Sequence, residues 1–92
     1  MKYVLFETPY PDCMHCMPVV RIFEEITNHS EVRVEVLFHK PGLKVVSAGK
    51  IWFNAEGGCT CVHKSTSIGM SFDEEKGEEA SKTISQIMQR TV

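Results

Sequence analysis

Hydrophobic residues recur along this chain at spacings that predict alternating strands and helices. The segment Lys2 to Thr8 is rich in β-branched and aromatic residues and predicts a strand. The next segment, Met17 to Asn28, predicts a helix because its apolar residues fall at helical spacing: Val19, Val20, Ile22, Phe23 and Ile26. From Glu31 to His39 apolar and polar residues alternate, which predicts a second strand. A strand, a helix and a strand in succession form a β-α-β unit, whose two strands would run parallel.

The middle of the chain predicts a β-hairpin. We expect a strand over Lys50 to Asn54, preceded by a short extended piece over Leu43 to Val46. A turn at Ala55 to Gly58 then leads into a fourth strand over Thr60 to Ile68.

The last part of the chain predicts a helix. The pattern becomes helical from Ser71 or Asp73, and the firm helix is expected from near Glu78 because Gly77 weakens the preceding turn. The predicted helix has one apolar stripe, formed by Ala80, Ile84, Ile87 and Met88.

Length and charge limit the classes of protein that this chain can represent. It has 92 residues, of which 42% are hydrophobic, and a net charge of −2. We therefore expect residues 1–92 to form a single domain, with neither nucleic acid nor a membrane as a partner. Glu7 comes too early in the chain for a signal peptide, so we expect a cytoplasmic protein. We also expect a monomer.

Four cysteines in a cytoplasmic chain indicate redox or metal chemistry rather than a disulfide framework. Cys13 and Cys16 form a Cys-x-x-Cys motif between the predicted first strand and the predicted first helix. A helix N-terminus has unpaired N–H groups and a positive dipole end, which would stabilise a reactive thiolate on Cys13. The residues expected to tune the pair or to line a docking surface are Tyr10, Asp12, Met14 and His15.

The stretch Y-V-L-F-E-T-P-Y-P-D-C-M-H-C, together with the predicted element order, resembles the thioredoxin-like superfamily and its small glutaredoxin- and thioredoxin-type redoxins. The resemblance implies an α/β protein with a β-α-β-β-β-α order, a four-stranded mixed sheet and helices packed on it. It also implies that Cys13 is the nucleophile and Cys16 the resolving thiol. Members carry a cis-proline that contacts the substrate, whereas the corresponding stretch here, around Gly49, has no proline.

The resemblance implies a thiol–disulfide oxidoreductase that exchanges electrons with protein disulfides. Its reducing equivalents would come from a disulfide reductase or from glutathione, so no bound cofactor is needed. Two other functions stay open: a non-catalytic thioredoxin-like module that binds another protein, and a small zinc-stabilised domain. The zinc domain would use all four cysteines, Cys13, Cys16, Cys59 and Cys61.

Cys59 and Cys61 flank Thr60 at the start of the predicted fourth strand, so their side chains should share one face. The expected fold puts them on the order of 15–20 Å from Cys13, too far for shared zinc coordination. They are then ordinary strand residues, a second redox pair, or a weak metal site together with His63.

Overall fold

The described part of the chain, residues 1–8 and 18–90 of a computed structural model, forms a five-stranded sheet with one helix on each face. In chain order the elements are β1 (Lys2–Glu7), β2 (Val19–Phe23), α1 (His29–His39), β3 (Lys44–Phe53), β4 (Cys59–Ser65), β5 (Met70–Asp73) and α2 (Glu74–Arg90). The strand order is β2-β1-β3-β4-β5, and every neighbouring pair is antiparallel. The broad prediction of an α/β protein is confirmed, whereas the four-stranded mixed sheet of the thioredoxin-like fold is wrong.

The segment predicted as the first helix contains instead the edge strand β2. Both faces of β2 are partly buried: Val20 and Ile22 pack against the core beneath α2, and Val19 and Phe23 against the core beneath α1. A strand that is covered on both faces has no apolar–polar alternation, so its pattern imitates that of a helix. Because the chain enters a strand at Val19, the helix predicted over Met17 to Asn28 is wrong, and its N-terminus no longer provides a reason to expect a stabilised thiolate on Cys13.

The segment predicted as the second strand is helix α1. Asn28 caps the helix, and its backbone N–H donates to the Glu31 carboxylate at 3.1 Å in a capping box. Val32 and Val36, four residues apart, are buried against the sheet, whereas Phe38 is 82% exposed. The alternation of apolar residues therefore combines a buried face and an exposed face of one helix.

The β-α-β unit predicted over Lys2 to His39 is wrong, and a split β-α-β unit is formed instead by β2, α1 and β3. Strands β2 and β3 lie on either side of β1 and are both antiparallel to it, so they run parallel to each other. Helix α1 connects them and packs over β1 and β3. The first and second strands in the chain are consequently antiparallel neighbours, with the Cys-x-x-Cys motif in the connection between them.

The predicted β-hairpin is confirmed as β3 and β4, with a longer first strand and a shorter second strand than expected. Its turn is closed by the Asn54 side chain, whose Oδ1 accepts the backbone N–H of Gly58 at 2.8 Å. Gly57 has φ +87°, a left-handed conformation that glycine adopts without strain. The fourth predicted strand ends at Ser65, and the short strand β5, which the sequence pattern did not predict, pairs with β4.

Helix α2 begins at Glu74, earlier than the predicted firm start at Glu78, because Asp73 caps it. The Asp73 carboxylate accepts the backbone N–H of Lys76 at 3.0 Å. The predicted apolar stripe is confirmed and faces the sheet, with its residues buried or partly buried: Ala80, Ile84, Ile87 and Met88. Within the described ranges, neither helix has the length and apolar composition that crossing a bilayer requires.

Gly77 allows α2 to lie directly against β4. A Cβ atom added at this position would be 2.9 Å from the carbonyl oxygen of Cys61 and 3.3 Å from the backbone nitrogen of His63. The glycine that weakens helix propensity is therefore the residue that permits the closest contact between helix and sheet.

Candidate functional site

Most of the site residues predicted from the sequence lie outside the described residues. These are Tyr10, Asp12, Cys13, Met14, His15 and Cys16. Gly49, Cys59 and Cys61 belong to the described part, as do three residues that flank the motif in the chain: Glu7, Thr8 and Pro18.

A cavity of about 530 Å³ lies where the chain leaves β1 and re-enters β2. Glu7 and Pro18, on the two sides of the Cys-x-x-Cys motif, both line it. Helix α2 contributes Lys76 and Glu79, and β3 contributes Ser47 to its wall. The cavity therefore combines charged groups with apolar side chains at the end of the sheet that carries the motif.

Gly49, expected near the cysteine pair, lies in the middle of β3 opposite Tyr3. A side chain at this position would overlap the carbonyl oxygen of Val62 on β4. The Gly49 carbonyl oxygen accepts a hydrogen bond from His29 Nε2 at 3.0 Å. The described contacts of Gly49 thus join β3 to β4 and α1, and the residue lies four strand positions from Glu7, about 13 Å away.

Cys59 and Cys61 share one face of β4, as predicted, and this face is covered by α2. Both are free thiols and are less than 9% exposed. The Cys59 thiol lies 3.5 Å from the carbonyl oxygen of Ser81 and from Ser85 Oγ. The backbone N–H of Cys61 donates to Ser81 Oγ at 2.8 Å. Both cysteines are therefore part of the contact between β4 and α2.

Burial beneath α2, together with the neighbouring Cys59 thiol, raises the pKa of Cys61 to about 12. A thiol with so high a pKa stays protonated at neutral pH, and it is the thiolate that attacks disulfides and binds zinc. Among residues 1–8 and 18–90, no three His, Cys, Asp or Glu side chains are placed to hold a metal ion. This environment fits ordinary core residues better than a second redox pair or a metal site with His63.

Strand geometry also separates the two cysteine pairs. Val19, which follows Pro18, lies at the level of Phe6 and Val45, six residues along β3 from the level of Cys61 and three strands away across the sheet. This separation is on the order of 20 Å. Cys16 precedes Pro18 by two residues, a reach of about 7 Å, so the described strands give no support to a zinc site shared by Cys16 and Cys61.

A buried chain of hydrogen bonds crosses the sheet face that α2 covers, and the sequence pattern did not predict it. Ser47 Oγ lies 2.7 Å from the Tyr3 hydroxyl and 2.8 Å from His63 Nδ1, and all three residues are at most 3% exposed. Burial raises the pKa of Tyr3 to about 12 and lowers the pKa of His63, so both side chains are neutral near pH 7. His63 follows Cys61 by two residues, so strand alternation alone indicates that it points inward.

Comparison with known proteins identifies no relative of this chain. No family model, curated protein or solved structure matches the chain. The class that the fold defines is thus a mixed α/β protein with an antiparallel five-stranded sheet, and its function is argued from its own residues.

Proposed function

We propose that this protein is a thiol–disulfide oxidoreductase in which Cys13 is the nucleophile and Cys16 the resolving thiol. The observation that carries the proposal is the division of the four cysteines into two pairs. Cys59 and Cys61 are buried against α2, and the pKa of Cys61 is far above neutral pH. The Cys-x-x-Cys pair is therefore the one proposed to carry the chemistry.

The cavity beside the motif supports the proposal. Its wall includes Glu7 and Pro18, between which the motif lies in the chain, and Cys16 precedes Pro18 by only two residues. The wall is partly apolar and carries both signs of charge, with Lys76 and Glu79 from α2. Such a surface suits an extended peptide segment that bears a disulfide.

The proposed reaction is a balanced two-electron exchange. The Cys13 thiolate attacks one sulfur of the substrate disulfide, forms a mixed disulfide and releases the other substrate sulfur as a thiolate. The Cys16 thiolate then attacks Cys13, which forms the intramolecular disulfide and releases the second substrate thiol. A disulfide reductase or two molecules of glutathione then reduce the Cys13–Cys16 disulfide, so the cycle needs no bound cofactor.

The proposal rests on the motif and not on the thioredoxin-like topology, which this sheet does not have. Since the chain enters a strand at Val19, the nearby charge proposed to stabilise the Cys13 thiolate is the imidazolium of His15. A reducing compartment such as the cytoplasm belongs to the same proposal, since free dithiols persist there.

The test is a redox titration against glutathione, with chelator present, read by mass after alkylation of free thiols. The matched control is Cys59→Ala/Cys61→Ala, which keeps the motif and removes the buried pair. We expect one two-electron transition in both proteins. We also expect Cys16→Ser to trap a mixed disulfide on Cys13 and Cys13→Ser to trap none. A transition that disappears with the buried pair, or cysteines that react only after a metal is removed, would overturn the proposal.

A further inference from the structure

Lysine and hydroxyl side chains line a second cavity, at the opposite end of β1 from the Cys-x-x-Cys connection. Its volume is about 530 Å³, and the described residues that line it include no carboxylate. Its charged and hydroxyl-bearing residues are Lys2, Lys50, Lys64, Ser65, Thr66 and Ser67. We propose that this cavity binds the phosphate group of a small phosphorylated molecule, of the size of a mononucleotide or a sugar phosphate. The proposal is independent of the redox function.

The placement of the lysines carries the argument. Lys2 and Lys50 are direct partners across the antiparallel pair of β1 and β3. Like charges placed opposite each other on neighbouring strands destabilise a sheet. Since the chain as a whole has a net charge of −2, this positive charge is concentrated locally. An anion bound beside Lys2 and Lys50 would offset this repulsion, so the two lysines are placed as an anion-binding pair.

Neighbouring acidic groups neutralise only part of this charge. Glu25 lies 3.3 Å from the N-terminal amino group and 3.8 Å from Lys50, so one exposed carboxylate serves two cations. Glu31 is engaged in the capping box of α1. The Lys2 ammonium donates to the carbonyl oxygen of Thr27 at 3.0 Å and also interacts electrostatically with Glu25, so this one carboxylate faces three cations. A net positive charge thus remains at the cavity.

Neutral hydrogen-bond donors accompany the lysines. Asn28 and His29, where α1 begins, line the cavity, so the positive end of the helix dipole adds to the local potential. The backbone N–H of Ser30 donates to Ser67 Oγ at 3.3 Å, which leaves the hydrogen of that hydroxyl available to another acceptor. Ammonium groups, hydroxyl donors and a helix N-terminus together match the oxygens of a phosphate.

His29 forms the buried floor of the cavity. Its Nε2 lies 3.0 Å from the Gly49 carbonyl oxygen, and its Nδ1 lies 2.8 Å from Ser65 Oγ. A carbonyl oxygen only accepts, so Nε2 carries the proton and the neutral ring accepts from Ser65 at Nδ1. A phosphate dianion in the cavity would favour the protonated ring, and the pKa of His29 would rise on binding.

The occupant that fits is a small molecule rather than a nucleic acid strand. The cavity volume lies in the range of small-molecule sites, about 300–1,000 Å³. A strand would need a basic track that continues past the cavity. Lys44, however, lies opposite Glu7 in the register of β1 and β3, at the far end of β3. Lys82 lies on α2, which packs on the other face of the sheet.

The test is a titration of the full chain with inorganic phosphate, AMP and ATP, followed through Trp52. This is the single tryptophan, is 53% exposed, and lies two residues from Lys50 on the same strand face. The variants Lys50→Gln and Lys64→Gln remove a cavity charge, and the controls Lys44→Gln and Lys82→Gln remove the same charge elsewhere. We expect each cavity variant to weaken phosphate-group binding about 10-fold, and each control less than about 2-fold.

Two further measurements separate binding from folding. Lys50→Gln removes both the repulsion with Lys2 and the exposed contact with Glu25, so its Tm without ligand should stay close to that of the wild type. AMP should raise the Tm of the wild type and the NMR-detected pKa of His29, and Cys13→Ser should respond in the same way. Absence of binding, equal weakening by cavity and control variants, or tight binding of a single-stranded oligonucleotide without binding of AMP would each overturn the proposal.

Discussion

Removal of one hydroxyl group tests the buried hydrogen-bond chain on the α2 face of the sheet. Ser47 Oγ bridges the Tyr3 hydroxyl and His63 Nδ1 at 2.7 and 2.8 Å. Both neighbours are neutral, and the Ser47 hydroxyl can donate to one of them and accept from the other. The substitution Ser47→Ala removes only the oxygen and leaves two buried polar groups without this partner.

The cost of Ser47→Ala follows from the number of groups that lose a bond. A buried polar group left without a partner costs about 1–3 kcal/mol, so two such groups would cost about 2–6 kcal/mol. Ser47 also lines the cavity beside Glu7, and water entering from it would satisfy one of the two groups. We therefore expect a loss of about 1–3 kcal/mol, a sizeable fraction of the stability of a small domain.

Urea unfolding followed by circular dichroism measures this loss. The variant Tyr3→Phe keeps the Ser47–His63 bond and should lose only about 1 kcal/mol. The double variant should therefore lose less than the sum of the single variants. Ser71→Ala, at an exposed position, is the matched control and should change stability by less than about 0.5 kcal/mol. A Ser47→Ala midpoint equal to that of Ser71→Ala would refute the hydrogen-bond chain.

Three other changes have expected outcomes. Burial lowers the pKa values of His29 and His63 below 6.5, so the unfolded chain binds protons first. The free energy of unfolding should therefore fall as pH decreases below about 6.5, by up to about 1.4 kcal/mol per pH unit for each imidazole, in urea titrations. Gly77→Ala should reduce the free energy of unfolding by about 1–2 kcal/mol and so lower the Tm, because the new Cβ meets the Cys61 carbonyl oxygen. Val36→Ala should cost about 1.5–2.5 kcal/mol in urea unfolding, because Val36 is 3% exposed.

Each of these predictions has a control at an exposed position. His39→Gln removes an exposed histidine and should keep the decrease in the free energy of unfolding at low pH. A wild type whose free energy of unfolding does not fall below about pH 6.5 would contradict buried neutral imidazoles at His29 and His63. Glu78→Ala follows Gly77 in α2 but is exposed, and it should change the Tm little. Val34→Ala, at a side chain 66% exposed, should cost less than about 0.5 kcal/mol. Equal losses for Val34→Ala and Val36→Ala would mean that α1 does not bury the face described.

The sequence pattern predicted the strand β1, the β3–β4 hairpin and the helix α2, where spacing and turn residues agree. It predicted a helix where β2 lies and a strand where α1 lies, because two local signals conflicted. The predicted helix ended at Asn28, although Asn28-x-x-Glu31 has the spacing of a capping box at a helix start. The alternation from Val32 to Phe38 then favoured a strand over the helix that the cap begins.

The sheet order depends on a choice that local pattern does not encode. Strand β1 is central and apolar on both faces, with Val4 and Phe6 beneath α1 and Tyr3 and Leu5 beneath α2. Any strand in the chain could pair with either of its edges, and the antiparallel hairpin with β2 was not expected once β2 had been taken for a helix. The parallel β-α-β unit, and with it the resemblance in topology, followed from that one error.

The candidate sites show the same limit at the level of side chains. Cysteine spacing placed Cys59 and Cys61 on one strand face, but only the packing of α2 reveals that the thiols are buried. Lys2 and Lys50 are 48 residues apart in the chain and become neighbours through the register of β1 and β3. A motif confined to one short segment can be recognised in the sequence, whereas a site assembled across strands requires the register.

The lysine cavity and the cavity lined by Glu7 and Pro18, which flank the motif in the chain, lie at opposite ends of β1, and this separation makes the two tests independent. Lys2 and Glu7 are five residues apart on that strand, about 17 Å. At such a distance charges near the surface interact weakly at physiological salt, with a screening length of about 8 Å. A phosphate in the lysine cavity should therefore leave the reduction potential of the Cys13–Cys16 pair nearly unchanged. If AMP shifts that potential while Lys50→Gln abolishes the shift, the two ends are coupled through β1 itself, and the protein is a redox enzyme regulated by its ligand.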